Sequence, residues 1–444
     1  MRTDNAEVPA KTRFNQSTSY TTDNNAGSTW KTGDPNNGIS PMADPFPPVL
    51  NGQRYNTTTT GGLGFDTLTG RSYSSQFYAT ERAHQYRWRI GLQRQIGKLN
   101  LVSMTYTGSY SSDVYISQNL NSVPAAYWWT GTSRNTAIDS WLNGGVTNPF
   151  RLSTNFPNLA NENPALWADM NTQSFFTNST ISRAQLLKPF PQMTGLTQQM
   201  SPLGLVRTHG VELTFNRRFT RGWNLMLAYT GTKARAADWF PNSYDQRPAW
   251  EESNSSRPHR LTATGMYQFP FGRRRAFFKK GVLSRVLGGM QIAGTFEYQS
   301  GPLLGWSNRY YYGDISGIVK SDPTLDEWFN TSGAACNETP GADTGWERCP
   351  QRAPGTYQVR VFPNRIAGLR RDKTLQTNAN VQKEIAMRPD SRVKFILRFD
   401  MLNVFNRYQF DNPNTDPMNT NFGVVQQQTA ATNRFLQFQG RIQF

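Results

Sequence analysis

The sequence predicts an all-β fold: a transmembrane antiparallel barrel of the outer-membrane type. Three observations carry this. Apolar and polar side chains alternate with period 2 along long segments, short and long connections between those segments alternate without exception, and no window approaches the ~18 consecutive apolar residues of a spanning helix. A strand crosses lipid only where every backbone N–H and C=O is paired, which requires a closed barrel. The apolar face then meets lipid and the polar face lines the lumen.

The strands follow in chain order. Tyr86, Trp88, Ile90 and Leu92 alternate with Arg87, Arg89 and Gln93, and Val102, Met104 and Tyr106 follow. Val211, Leu213 and Phe215 alternate with Glu212, Thr214 and Asn216, ahead of Trp223, Leu225, Leu227 and Tyr229. Leu261, Ala263, Tyr267 and Phe269 alternate with Thr262, Thr264 and Gln268, and Met290, Ile292, Phe296 and Tyr298 with Gln291, Thr295, Glu297 and Gln299. Leu375, Ala379, Val381 and Ile385 alternate with Gln376, Asn378, Asn380, Gln382 and Glu384. Val393, Phe395, Leu397, Phe399 and Met401 alternate with Lys394, Arg398 and Asp400, Ile396 being the exception. The last segment is the clearest: Leu436, Phe438, Gly440, Ile442 and Phe444 share one face, Gln437, Gln439, Arg441 and Gln443 the other. These nine strands run roughly 10 to 15 residues, against about 5 or 6 in globular sheets.

The connections Gly97-Lys98, Phe219 to Gly222, Gly272 to Gly288 and Arg388 to Ser391 are short. Between them lie Ser111 to Gly204, Lys233 to Arg260, Gly301 to Lys373 and Phe410 to Asn433. All the long loops therefore gather at one end of the strands, as in outer-membrane barrels with short periplasmic turns and long extracellular loops. A soluble sandwich has no reason to sort its loops this way. Trp88, Trp223, Tyr267, Phe269 and Phe444 fall near strand ends, where an interfacial aromatic girdle belongs.

Composition agrees. Among 444 residues, 36% are hydrophobic, 17% charged and 13% aromatic, and 27 Phe, 12 Trp and 18 Tyr argue against intrinsic disorder. The first residues, MRTDNAEVPAKTRFNQ, contain no apolar export signal, so an exported protein would need a further N-terminal segment. Bacterial single-chain barrels have even strand counts. Nine strands therefore predict the C-terminal portion of a larger barrel, 85–444, preceded by an extracellular loop or poorly defined N-terminal segment, 1–84, with large extracellular loops 111–204 and 301–373. A tenth strand within Tyr55 to Tyr78 would also make the number even.

The segments SRPHRLTATGMYQFPFGRRR, GGMQIAGTFEYQSGPL, FILRFDMLNVFNRYQFDNPN and NFGVV, ending in a strand that closes on Phe444, resemble the C-terminal barrel of TonB-dependent receptors. The nearest resemblance is to the Oar-like group, which carries a carboxypeptidase-regulatory-like N-terminal domain. It spans roughly Tyr86 to Phe444 and implies a barrel of about 22 strands with a plugged lumen. It further implies an N-terminal plug and a short box pulled by the TonB complex, neither recognisable in Met1 to His84. The implied activity is uptake of a large nutrient across the cell outer membrane of a Gram-negative bacterium. A surface adhesion or ligand-binding barrel without active transport is the alternative.

Catalytic chemistry has little support. His84, His209 and His259 lie far apart, with no metal-binding or nucleophile motif, so neither an enzyme nor a cofactor is expected. Cys336 and Cys349, with twelve residues between them in one predicted extracellular loop, form the expected disulfide of an oxidising exterior. Two free thiols are the other reading.

The net charge of +17 is unevenly spread. The predicted lumen carries Arg87, Arg89, Arg218, Arg392, Lys394, Arg398 and Arg441 against Glu212, Glu297, Glu384 and Asp400, an excess of three. Arg273, Arg274, Arg275, Lys279, Lys280 and Arg285 fill a single periplasmic turn, placed to meet anionic headgroups or a periplasmic partner, or simply solvated. No nucleic-acid-binding motif accompanies the charge. Tyr127, Trp128, Trp129 and Trp141, set among Asn, Ser and Thr, offer a capture surface for an extracellular substrate, or fold their loop over the pore. The terminal residues Leu436, Phe438, Gly440, Ile442 and Phe444 resemble the signal read by the barrel assembly machinery.

Overall fold

The computed structural model describes residues 69–76, 82–272, 275–339, 344–386, 393–427 and 433–444. Most of the 1–84 segment, Arg273, Arg274, Arg392 and the turn 388–391 lie outside the described residues.

Alternation with period 2 forms strands wherever it was read. They are β1 (His84–Ile96), β2 (Asn100–Asn119), β3 (Gly195–Thr220), β4 (Trp223–Trp239), β5 (His259–Gln268), β6 (Met290–Gln299), β7 (Thr374–Ala386), β8 (Lys394–Leu402) and β9 (Phe435–Gln443). Each pairs antiparallel with its sequence neighbours, so the sheet is an uninterrupted meander from β1 to β9. It does not close on itself among the described residues: β1 and β9 are its two edges. The stretch considered for a tenth strand does contain one, Ser72–Gln76, but it pairs parallel with the upper part of β3 and does not extend the meander.

Three strands run far past the 9–11 residues that cross a membrane. β2 has 20 residues, β3 has 26 and β4 has 17, so the loop expected over 111–204 shrinks to 120–194. The extra length was hidden from the sequence because alternation is imposed by lipid on one side and water on the other, and that contrast ends at the membrane surface. The ladder marks the boundary itself: the β2–β3 register shifts at Ser111/Val114, beside the positive φ of Asp113 (57°).

The short connections lie at the opposite end. Arg221 (φ 49°) and Gly222 (φ 88°) turn β3 into β4 with positive φ at both central residues, the two-residue hairpin geometry that suits twisted strands. A Cβ on Gly222 would also stand 2.9 Å from the carbonyl oxygen of Gln268.

The largest hydrophobic core is in the loops, not the sheet. Leu304, Trp306, Ile318, Trp328, Phe329, Trp346, Phe362, Ile366 and Leu369 from 300–373 pack with Phe422 and Val425 from 403–434. Trp346 is fully buried, stacked on Trp306 at 4.8 Å and edge-on to Phe422 at 5.2 Å. Loop 120–194 has two smaller cores, around Leu142 and Phe176, and short helices such as Thr136–Asn143, capped by the Asn135 side chain accepting from the Ile138 N–H.

Candidate functional site

Residues directly opposite in an antiparallel ladder share a face, so the registers assign every strand residue to one side of the sheet. One continuous path on the polar face runs Gln93–Ser103–Thr214–Ala228–Thr262–Glu297–Gln376. Another runs Gln382–Arg398–Gln439. Arg87, Arg89, Glu212, Glu297, Glu384, Lys394, Arg398, Asp400 and Arg441 all fall on this one face, across nine strands with no inversion. Arg218 continues it just beyond the regular ladder, where the β3–β4 register shifts. Ile396, the exception to the alternation of β8, sits on the same face between Glu384 and Arg441.

Part of the charge on this wall is neutralised locally. Lys394 Nζ lies 3.3 Å from Glu384 Oε2 and Arg398 Nε 2.8 Å from Asp400 Oδ1. Glu297 Oε1 takes both Nε (3.1 Å) and Nη2 (2.9 Å) of Arg260, a polar-face residue not legible in the sequence because it sits in the RPHR run at the strand mouth. These pairs are well exposed, so each contributes at most about 1 kcal/mol. Among the described residues no ion pair engages Arg87, Arg89, Arg441 or Glu212, which leaves the wall net positive.

Above the wall, carboxylates on the strand Ala249–Glu252, which pairs with β4, fasten the loop core. Glu251 accepts from Asn364 Nδ2 at 3.0 and 3.1 Å and pairs with Arg365 at 2.6 Å, and Glu252 pairs with Arg370. Burial raises the Glu251 carboxyl above its usual range, an effect Asn364 and Arg365 only partly offset. Burial likewise lowers the Arg360 guanidinium, against the pull of Glu251. Asp372, almost wholly buried, receives Arg407 Nη2 on both oxygens at 2.8 and 3.1 Å and so ties in loop 403–434.

The four aromatic residues expected to capture substrate divide into two pairs. Trp128 donates its indole N–H to the Val123 carbonyl at 2.9 Å and is edge-on to Tyr244 and Tyr357. Trp129 donates to the Ser133 carbonyl at 2.7 Å. Tyr127 and Trp141, by contrast, are exposed and stack on each other at 6.0 Å, with the Arg183 guanidinium 5.6 Å over the Trp141 ring. Cys336 and Cys349 are thiols in hydrogen-bonding contact, which raises Cys336 and lowers Cys349. The amide oxygen of Gln351 lies 2.9 Å from the sulfur of Cys349.

Among the described residues no three His, Cys, Asp or Glu side chains converge as a metal site would require. His84 meets Asp113 at 3.3 Å, while His209 and His259 each meet a tyrosine hydroxyl at 2.8 Å, Tyr106 and Tyr229 respectively. In the basic turn between β5 and β6, a short helix, Val282–Leu287, follows Lys279 and Lys280 and leaves Val282, Leu283 and Val286 exposed. On the outward face of the sheet, an apolar groove of about 500 Å³ lies over Ala263, Gly265, Gly294 and Ala379.

The chain is similar in structure to the outer membrane transporter YddB from Escherichia coli (TM-score 0.37, 12% identity, covering 83% of this chain and 33% of that one). It is also similar to the FrpB iron transporter from Neisseria meningitidis (TM-score 0.34, 11% identity, 83% and 32%). A third likeness is to the FpvA pyoverdine receptor of Pseudomonas aeruginosa (TM-score 0.33, 12% identity, 82% and 30%). The chain thus spans about a third of the length of those proteins. No curated protein matches its sequence. Residues 2–437 match the family described as an outer membrane beta barrel domain, whose members reside in the outer membrane, and the chain belongs to that family.

Proposed function

We propose that this chain supplies the C-terminal strands of a TonB-dependent uptake receptor of about 22 strands, with a plugged lumen, admitting a large nutrient across the outer membrane. The single observation that carries the reading is the polar face of the nine-strand meander, which keeps to one side across every strand and is backed by a predominantly apolar face. The two strand edges leave the sheet ready to continue into further strands, and the ordered C-terminal motifs resemble those of the Oar-like receptors. In this reading Arg87, Arg89, Arg218, Glu212 and Arg441 line the substrate path, Tyr127 and Trp141 present the capture surface, and the TonB complex acts through a plug carried upstream. The barrel assembly machinery reads the terminal strand through Leu436, Phe438, Gly440, Ile442 and Phe444. Siderophores, oligosaccharides and peptides all have the size and polarity that such a wall accommodates.

One observation favours a second reading, a surface-anchored binding barrel without active transport: the largest core lies in extracellular loops fastened by Glu251, Glu252 and Asp372. The test is uptake of a panel of ferric siderophores, oligosaccharides and peptides by cells with and without the gene, before and after dissipating the proton gradient. Transport predicts one compound whose uptake needs both the gene and the gradient. Surface binding that persists unchanged without the gradient, with no uptake lost on deletion, overturns the transport reading.

A further inference from the structure

Four basic side chains stand on the lipid side of the sheet. Arg207 and His209 on β3 lie directly opposite Arg235 and Lys233 on β4, and all four are exposed. They share their face with Val211, Leu213 and Phe215 on β3 and with Tyr229 and Leu227 on β4, whereas Ala234 and Ala236 point inward and are buried. With Trp250 these four residues line a concavity of about 440 Å³. The Arg207 guanidinium lies 5.3 Å from the ring centres of both Tyr110 and Trp250, which hold it at the edge of the concavity.

Depth follows from the chain. Arg207 and Arg217 bracket the outward-facing His209, Val211, Leu213 and Phe215. Ten residues at about 3.4 Å each, tilted about 45°, give a height of about 24 Å, which matches the apolar band of about 25 Å of these barrels. Arg217 marks the short-turn boundary, its guanidinium 4.0 Å over the Trp223 ring. Arg207 and Arg235 mark the long-loop boundary, which is the extracellular one.

Like charges directly opposite in a ladder repel. The acid opposite Arg235 is Glu252, and its carboxylate is engaged by Arg370. The Arg207/Arg235 pair, with Lys233 beside it on the same face, therefore calls for an anion from outside the protein, at the level of the outer-leaflet headgroups. Guanidinium forks favour phosphate, which they bind in a bidentate manner. We propose that this concavity binds the phosphate groups of the phosphorylated glycolipid that forms the outer leaflet of the outer membrane, while the acyl chains lie along the apolar face below. This assignment rests on the outer-membrane location alone and is independent of what the lumen carries.

The experiment is native mass spectrometry of the chain extracted in detergent and titrated with bis-phosphorylated lipid A, with lipid A stripped of phosphate, and with inorganic phosphate. Bound bis-phosphorylated lipid, at least tenfold weaker binding of the stripped lipid, and a similar loss in the Arg207→Gln/Arg235→Gln variant are expected. The Arg207→Lys/Arg235→Lys variant, which keeps the charge but not the fork, should bind between the native chain and the Gln variant. The comparison of the two lipids needs no variant and so stands even if a substitution impairs folding. Equal binding of the stripped lipid, equal competition by inorganic phosphate, or unchanged binding by the folded Gln variant would each overturn the proposal.

Discussion

Phe399 of β8 and Phe438 of β9 stand directly opposite each other on the lipid side, their rings stacked at 4.3 Å with planes 22° apart. The pair joins the edge strand to its neighbour where no water competes. Phe438→Ala should lose the stacking, about 0.5–1.5 kcal/mol, and Phe438→Arg should cost about 2–4 kcal/mol if the site lies near the bilayer midplane. Urea unfolding of the chain in lipid vesicles measures both. Phe444 differs: it lies just past the paired strand and is 91% exposed. Deleting it should slow insertion into the outer membrane while leaving the unfolding midpoint of inserted protein in place; unchanged insertion would remove its signalling role.

Trp346 belongs to another energetic world. It is surrounded by Trp306, Phe329, Phe362 and Phe422 in a core that contains no barrel strand. Trp346→Ala should cost about 3–5 kcal/mol of loop stability, exposing 300–373 to trypsin added to intact cells. The strands should keep their resistance to detergent. Simultaneous loss of both would show that core and barrel unfold as one unit.

The strands were legible because lipid and water impose opposite demands on alternate residues, and even the isolated Ile396 kept its place on the polar face. The upper halves of β2, β3 and β4 were not, because outside the membrane no such contrast writes a period into the chain. Arg260 was hidden for a related reason: its neighbours in sequence, Pro258 and His259, read as a loop, and only the register with Gln299 places it beside Glu297. Aromatic residues told least about their own roles. Trp128 and Trp141 look alike in sequence, yet one is fixed by Tyr244 and Tyr357 while the other is open to solvent, a distinction that depends on partners more than a hundred residues away.

Glu251 gives the loop attachment a pH dependence of defined sign. Its folded-state pKa is raised, chiefly by burial. Its contribution to stability is therefore fully present below the ordinary glutamate value of about 4.3 and is lost as pH rises through the raised value. Protease resistance of 300–373 should accordingly fall across that window, and Glu251→Gln should flatten the slope. A slope that survives the substitution would assign it to another group.

Cys336 and Cys349 stand in contact as thiols, and the lowered pKa of Cys349 makes it the better attacking thiolate of the two. In an oxidising exterior, the expected product is a disulfide closing a short subloop, worth about 3 kcal/mol in the chain-entropy model. Protein isolated without reductant should be lighter by two hydrogens than reduced protein, and its thiols should resist alkylation until reductant is added. Cys336→Ser should then lower protease resistance of the 333–352 segment without changing that of loop 120–194, whose cores around Leu142 and Phe176 share no residue with it. Full alkylation of both sulfurs in folded, unreduced protein would establish the free-thiol reading instead.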